Sequence, residues 1–339
     1  AHAGRDVRIY MRSAGILEEA WPKAPRHPGV AHYLIHSYDD PIHAPIGLRA
    51  ARVYSEVAPT APHAQHMTSH IFLALGLWEE TSKANEVAVA VMNRMRGHKG
   101  LHDRACGHYP SWLQYSYLQQ GRRADAERWL AACREEATSA HAVALKDGTY
   151  DADRSSITSY LMMWTRQILD TEDWNGEIAK WTLDVGPQPV ARLSYAFARG
   201  FAAARRGEVT AARAELEALA AARREFDAKR EVEHPIDLGP WRRAEILERQ
   251  LRAAILTAEG KASEALPLAQ AAAQIEEGMP FGFGPPYIDK PSHELWGEIA
   301  LASGDSRAAA AAFEAALARA PQRAMSVAGL ARAKAAGGN

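Results

Sequence analysis

Cysteine is scarce in this chain: Cys106 and Cys133 are the only two in 339 residues, and they do not form a C-x-x-C pair. That excludes a disulfide framework; two separate buried thiols are expected, with one bridge as the alternative. Excess charge of one sign is lacking too. A formal net charge of −1 gives no electrostatic case for binding nucleic acid or an anionic membrane surface. No apolar run approaches the roughly 20 residues a bilayer-spanning helix needs, so no membrane segment is predicted and a soluble protein is expected. Alternating runs rich in Val, Ile and Thr are almost absent, and alanine dominates the 47% hydrophobic share, which argues for helices throughout. Catalytic signatures are missing as well. There is no G-x-S-x-G elbow, and the Gly-rich 282–284 stretch is followed by no G-K-[ST]. Nothing in the chain decides between a cytoplasmic and an exported location.

What the chain does have is histidine, unevenly placed. Eleven of its 14 histidines fall within the first 108 residues. Two stretches carry the pattern P-x-x-x-H-x-x-x-H: Pro28, His32 and His36 recur 34 residues later as Pro62, His66 and His70. Thirty-four residues is the period of the tetratricopeptide repeat, a helix–turn–helix unit that stacks into a solenoid. Each copy opens with proline in the first helical turn, where the missing N–H costs nothing. Histidines at i and i+4 share one helix face. In-register copies on neighbouring helices would therefore bring four imidazoles to one patch.

Helices are predicted over 5–23, Pro28–Asp40, Ala44–Val57, 62–75, from the turn at Gly76 to about Met95, and from about Ala105 to Gln119. A turn glycine followed by a small alanine recurs at Gly121, Gly207, Gly260 and Gly304, and 170–179 reads as a similar turn without its glycine. The expected architecture is all-α: one tetratricopeptide-like helical-repeat solenoid over 1–339 of about seven helix pairs. Residues 1–120 would be the histidine-rich units and 121–339 further repeats. The main loops fall at 97–103 and 278–291, and the second is long enough to lie over a surface. The charged 242–252 helix is expected to be a solvated face, and Trp164, Trp174 and Trp181 core. His293 and Glu294 would lie about six units from the histidine patch.

HPGVAHYLIHSYDDP, APTAPHAQHMTSHIFLALGLWEETSKAN and the closing KPSHELWGEIALASGDSRAA stretch resemble a family of bacterial tetratricopeptide-repeat proteins with H-P-G-x-x-H-Y-x-I-H-x-x-D and H-A-x-H-M-P-S-H-I-F motifs. The resemblance runs from about residue 10 to the end and is specific in the histidine-rich third. It implies an all-helical repeat fold and marks His27, His32, His36, Asp39, His63, His66, His70 and His108 as the family's characteristic polar positions. Thr68 stands where the motif has Pro, and Ser111 where the family often has Asp.

Imidazole ligates Zn, Cu, Ni and Fe, and an i, i+4 pair on a helix can share one ion. The zincin motif uses that spacing, but Tyr33-Leu34-Ile35 and Met67-Thr68-Ser69 place no glutamate between the histidines. The candidate ligands are His32, His36, His66, His70 and Asp39, with Asp39 either on the ion or holding a ligand ring by its other nitrogen. Aligning Gly121 on Gly76 puts His108 at the level of His63, predicting a second ladder beside the first, with Trp112 and Tyr115 lining its open side. Four clustered imidazoles without an ion would repel one another on protonation. The donor set favours Zn or Cu, with Fe or Ni as further options. The expected function is metal binding on the concave face of the first repeats, extending to a metalloenzyme that acts on a small molecule or peptide in the groove. The competing expectation is a non-catalytic scaffold that binds a partner peptide there.

Overall fold

A computed structural model describes residues 6–143, 155–228 and 238–338. These residues are helical and contain no strand. The first helices are α1 (Val7–Ala20), α2 (Pro28–Ser37), α3 (Ala44–Val57), α4 (Pro62–Ala74), α5 (Trp78–His98), α6 (His108–Gln119), α7 (Arg123–Thr138) and α8 (Ser156–Thr171). After a 3-10 turn at Ile178–Lys180 come α9 (Pro189–Arg205), α10 (Val209–Ala228), α11 (Gly239–Ala258), α12 (Ala262–Glu277), α13 (Ser292–Ala302), α14 (Ser306–Arg319) and α15 (Ala324–Gly337). Among the described residues no helix is long and apolar enough to cross a membrane.

Local sequence explains most boundaries. Pro28 and Pro62 open α2 and α4, and the His27 ring caps α2 by accepting the Val30 N–H at 3.4 Å. The helix expected to reach Asp40 stops at Ser37. Asp40 instead accepts the Ile42 and His43 N–H groups, each at 2.9 Å, and starts the next helix. The five turn glycines Gly76, Gly121, Gly207, Gly260 and Gly304 all sit at positive φ, between 69° and 82°. Only glycine takes that conformation freely. In the turn that lacks its glycine, Glu172 takes the left-handed position with φ 52°.

Successive helices pack on one another, and a second set of contacts skips one: α2 on α4, α6 on α8, α9 on α11, α11 on α13, and α13 on α15. Small alanines let the pairs approach closely. Ala44, Ala50, Ala51 and Ala88 are fully buried, and so are Ala253, Ala265 and Ala269. Trp164 is fully buried with its indole N–H on the Ile178 carbonyl at 2.7 Å, and Trp174 and Trp181 pack on the same region, as expected.

Three expectations need correction. The cysteines are not separate thiols: Cys106 and Cys133 are bonded to each other. The helix expected from about Ala105 begins only at His108. The 104–107 segment is held as a loop by that disulfide and by Glu136, which accepts the Ala105 and Cys106 N–H groups at 2.9 Å each. The 242–252 helix is not simply a solvated face, because Arg243 is buried and pairs with Asp289 at 3.1 Å.

The start of α5 meets the turn between α14 and α15. The Trp78 indole donates to the Gln322 carbonyl at 2.8 Å, and a Cβ added at Gly76 would lie 2.5 Å from the Pro321 carbonyl oxygen. Behind that contact Arg323 is buried. It donates to Glu294 at 2.8 Å and to the Tyr115 hydroxyl at 3.1 Å, and is also paired with both carboxylate oxygens of Asp170. Gln119 ties Asp170 at 2.8 Å and accepts the Ala324 N–H at 2.9 Å. Glu294 was expected far from the first repeats; chain closure brings it within one residue of them.

Candidate metal centre

Three helices supply the histidines. Within α4, His66 and His70 lie one turn apart on the same face, and both are buried. From α2, His36 sits with its ring 5.8 Å from that of His70, and His108 at the start of α6 lies 4.5 Å from His66. The nearest nitrogens of His66, His70 and His108 all fall within 4.8 Å of one another.

Hydrogen bonds fix the tautomers of the two inner rings. Asn85 of α5 donates its amide N–H to the Thr81 carbonyl at 2.8 Å, so its oxygen is the group that faces His66. That oxygen lies 2.7 Å from His66 Nδ1 and accepts its proton. Asp39 accepts the proton of His70 Nδ1 at 2.5 Å. A neutral imidazole carries one N–H, so in each ring, when neutral, Nε2 is left as a lone pair. These two Nε2 atoms are 3.1 Å apart. Around a tetrahedral ion with bonds of about 2.1 Å, two ligand nitrogens are separated by about 3.4 Å. The donor set therefore fits a divalent transition ion: neutral imidazoles, each backed by an acceptor on its far nitrogen.

Electrostatics disfavour a proton on three of the rings, His66, His32 and His63. Burial, followed by the neighbouring His108 and His70, holds the His66 pKa well below the usual histidine value. Burial, then His63 and His70, pushes His32 down to about 4. Burial and then His70 lower His63 as well.

The remaining predicted residues distribute as follows. Asp39 faces His70 and orients it. His32 turns to His63 rather than to the inner pair, with their Nε2 atoms 3.2 Å apart. The expected His63–His108 ladder is not formed. Because α6 starts only at His108, its first turn meets α4 at His66, while His63 meets α2. Trp112 packs on His70 at 4.5 Å and on His66 at 4.7 Å between ring centroids. Tyr115 lies one turn further along α6, packed with Leu73 and Trp112 and bonded to Arg323. Burial pushes its hydroxyl up to about 12, so it stays protonated.

Sequence reasoning missed Asn85, and it singled out the 278–291 loop as one that could cover a surface without placing it at the histidines. Asn85 is a fully buried polar residue on the stripe of α5 that continues with Ala88 and Val89. A polar residue on such a stripe is the signal that would have found it. From the loop, the Phe283 ring lies 5.9 Å from His36 and 6.2 Å from His70. Gly284 is pressed on Trp112, where a Cβ would fall 2.0 Å from the indole. A cleft lined by Asp39, Asp40, Trp78, Tyr115, Phe281 and Arg319 runs between this loop and the helices, reaching the carboxylates beside the histidines.

No family model matches the chain, and no curated protein matches it.

Proposed function

We propose that this is a metal-binding helical-repeat protein of the tetratricopeptide type, whose ion is held by His66, His70 and His108. Asp39 and Asn85 are its positioning residues. The observation that carries the reading is the pair of Nε2 lone pairs 3.1 Å apart, each fixed by an acceptor on the opposite nitrogen. Two facing lone pairs repel and need a cation between them. A divalent ion satisfies both lone pairs and takes His108 as a third ligand.

Zn or Cu suits three imidazoles best, with Fe or Ni next. Three protein ligands leave a coordination position for water or substrate, the arrangement of catalytic rather than structural sites. The class of activity to test is Lewis-acid chemistry on a small molecule entering by the cleft beside Asp39. The repeat reading is supported by helix pairs joined at positive-φ turns and by the contacts between alternate helices.

The test is elemental analysis of protein purified without a histidine tag, beside a His66→Gln/His70→Gln variant. At least one equivalent of a single metal in the parent, lost in the variant at unchanged helical circular dichroism, is expected. No metal in the parent after exposure to Zn, Cu, Fe and Ni would overturn the reading.

A further inference from the structure

The inner ligands are half of a longer arrangement. Six imidazoles form one unbroken row. Ring centroids step 5.0 Å from His63 to His32, 4.8 Å to His36 and 5.8 Å to His70. They step a further 4.9 Å to His66 and 4.5 Å to His108. Within the row, Nε2 faces Nε2 twice: at 3.1 Å between His66 and His70, and at 3.2 Å between His32 and His63. His36 stands between the two pairs.

The outer pair is held nitrogen to nitrogen. The His32 ring is stacked on Tyr54, at 5.6 Å with planes 13° apart, and on Tyr33, at 5.1 Å and 26°. His63 meets it edge-on at 88°, from the first turn of α4, so its nitrogen rather than its ring face points at His32. His63 is exposed and His32 only partly buried, which puts this end of the row in contact with solvent.

We propose that His32 and His63 form a second divalent-metal site, with His36 placed between the two ions, so that the row is a two-ion centre. The proposal rests on the metal-binding reading above but uses different ligands. A lone N–H···N bond between the two rings would also give a short contact. The ion is favoured because the same Nε2–Nε2 geometry occurs twice in one row, and because another imidazole stands beside each pair. A neutral imidazole offers one lone pair whichever nitrogen carries its proton. Exposure of His63 makes the outer ion the exchangeable one. Imidazole donors suit Zn(II), Cu(II) and Ni(II).

The experiment strips untagged protein with a chelator, equilibrates it with buffered Zn(II), and measures bound zinc by mass spectrometry. The parent is expected to hold two equivalents, and a His32→Gln/His63→Gln variant with unchanged circular dichroism only one. One equivalent in the parent, retained by the variant, would overturn the second site and leave the inner one standing. Two equivalents in both proteins would overturn it equally, placing the second ion elsewhere. No zinc in the parent would sink both sites together. If the double variant loses its helical signal, His63→Gln alone, at an exposed position, gives the reading. It is expected to weaken the second equivalent at least about tenfold, and unchanged affinity overturns the proposal.

Discussion

Two buried polar clusters lie within a turn of each other on α6, one beside Trp112 and the other around Tyr115, and they are built on opposite principles. Around Arg323 the charges close on themselves. The guanidinium is matched by Asp170 and Glu294, Glu294 also accepts from Lys290 at 2.9 Å and Ser326 at 2.6 Å, and Tyr115 and Gln119 complete the set. Around His66 and His70 the outer nitrogens are just as carefully satisfied, but the inner ones face each other. A polar cluster that completes its own hydrogen bonds is structure. One that is completed on the outside only is arranged for something else.

That contrast breaks if the Arg323 cluster proves dispensable. Arg323→Ala leaves Asp170 buried without its cation and Glu294 with Lys290 alone, and is expected to cost about 3–5 kcal/mol in urea denaturation, with metal content per folded molecule unchanged. A loss below about 1 kcal/mol would show that the cluster does not hold these elements together.

Glu136 comes next. Burial pushes its carboxyl up, but the Cys106 and Ala105 amides, then Arg104 and Ser156, more than offset this and hold its pKa below the usual carboxylate value. Its folded value is therefore depressed, so its contribution is present above about pH 4.5 and is lost as pH falls through the folded value. Glu136→Ala is expected to cost about 2–3 kcal/mol near neutral pH, and to flatten the acid limb of a stability–pH profile. Because Glu136 and the disulfide shape the 104–107 loop, the same variant should also weaken metal binding through His108. An unaltered metal affinity would separate the loop from the site.

On the other side of the comparison, Asp39→Asn keeps the shape but weakens the acceptor on His70. A 10–100-fold loss of metal affinity is expected, about 1.4–2.7 kcal/mol, with little change in the stability of the metal-free protein. The smallest effect sharpens the distinction further. His27 belongs to the histidine-rich third but only caps α2, at 3.4 Å. His27→Ala should cost about 0.5 kcal/mol of stability and leave metal content untouched in the same elemental assay.

Much of this was legible in the chain. The i, i+4 histidines, the prolines at helix starts and the turn glycines follow local rules, and local rules hold: every glycine expected in a turn has positive φ. The meeting of α2 with α4 was readable from the 34-residue echo, but the pairing was not. His32 meets His63 and Asp39 meets His70, both at a separation of 31, because register depends on how two helices cross and not on their repeat. The disulfide was only the alternative expectation because two cysteines 27 apart carry no spacing rule. The role of 278–291 and the partners of Glu294 were hidden for a different reason. A linear count of repeats places them far from the histidines, whereas the curl of the whole chain brings them back.

That curl has a kinetic consequence. In an array whose helices touch only their neighbours, ordering can begin in any unit and spread outward. Here the clasp joins Trp78 to Gln322 across 244 residues, a contact of high sequence separation. The molecule behaves as a buckled belt rather than a coil spring. Closing the buckle is expected to make folding slower than that of an open array of the same helices.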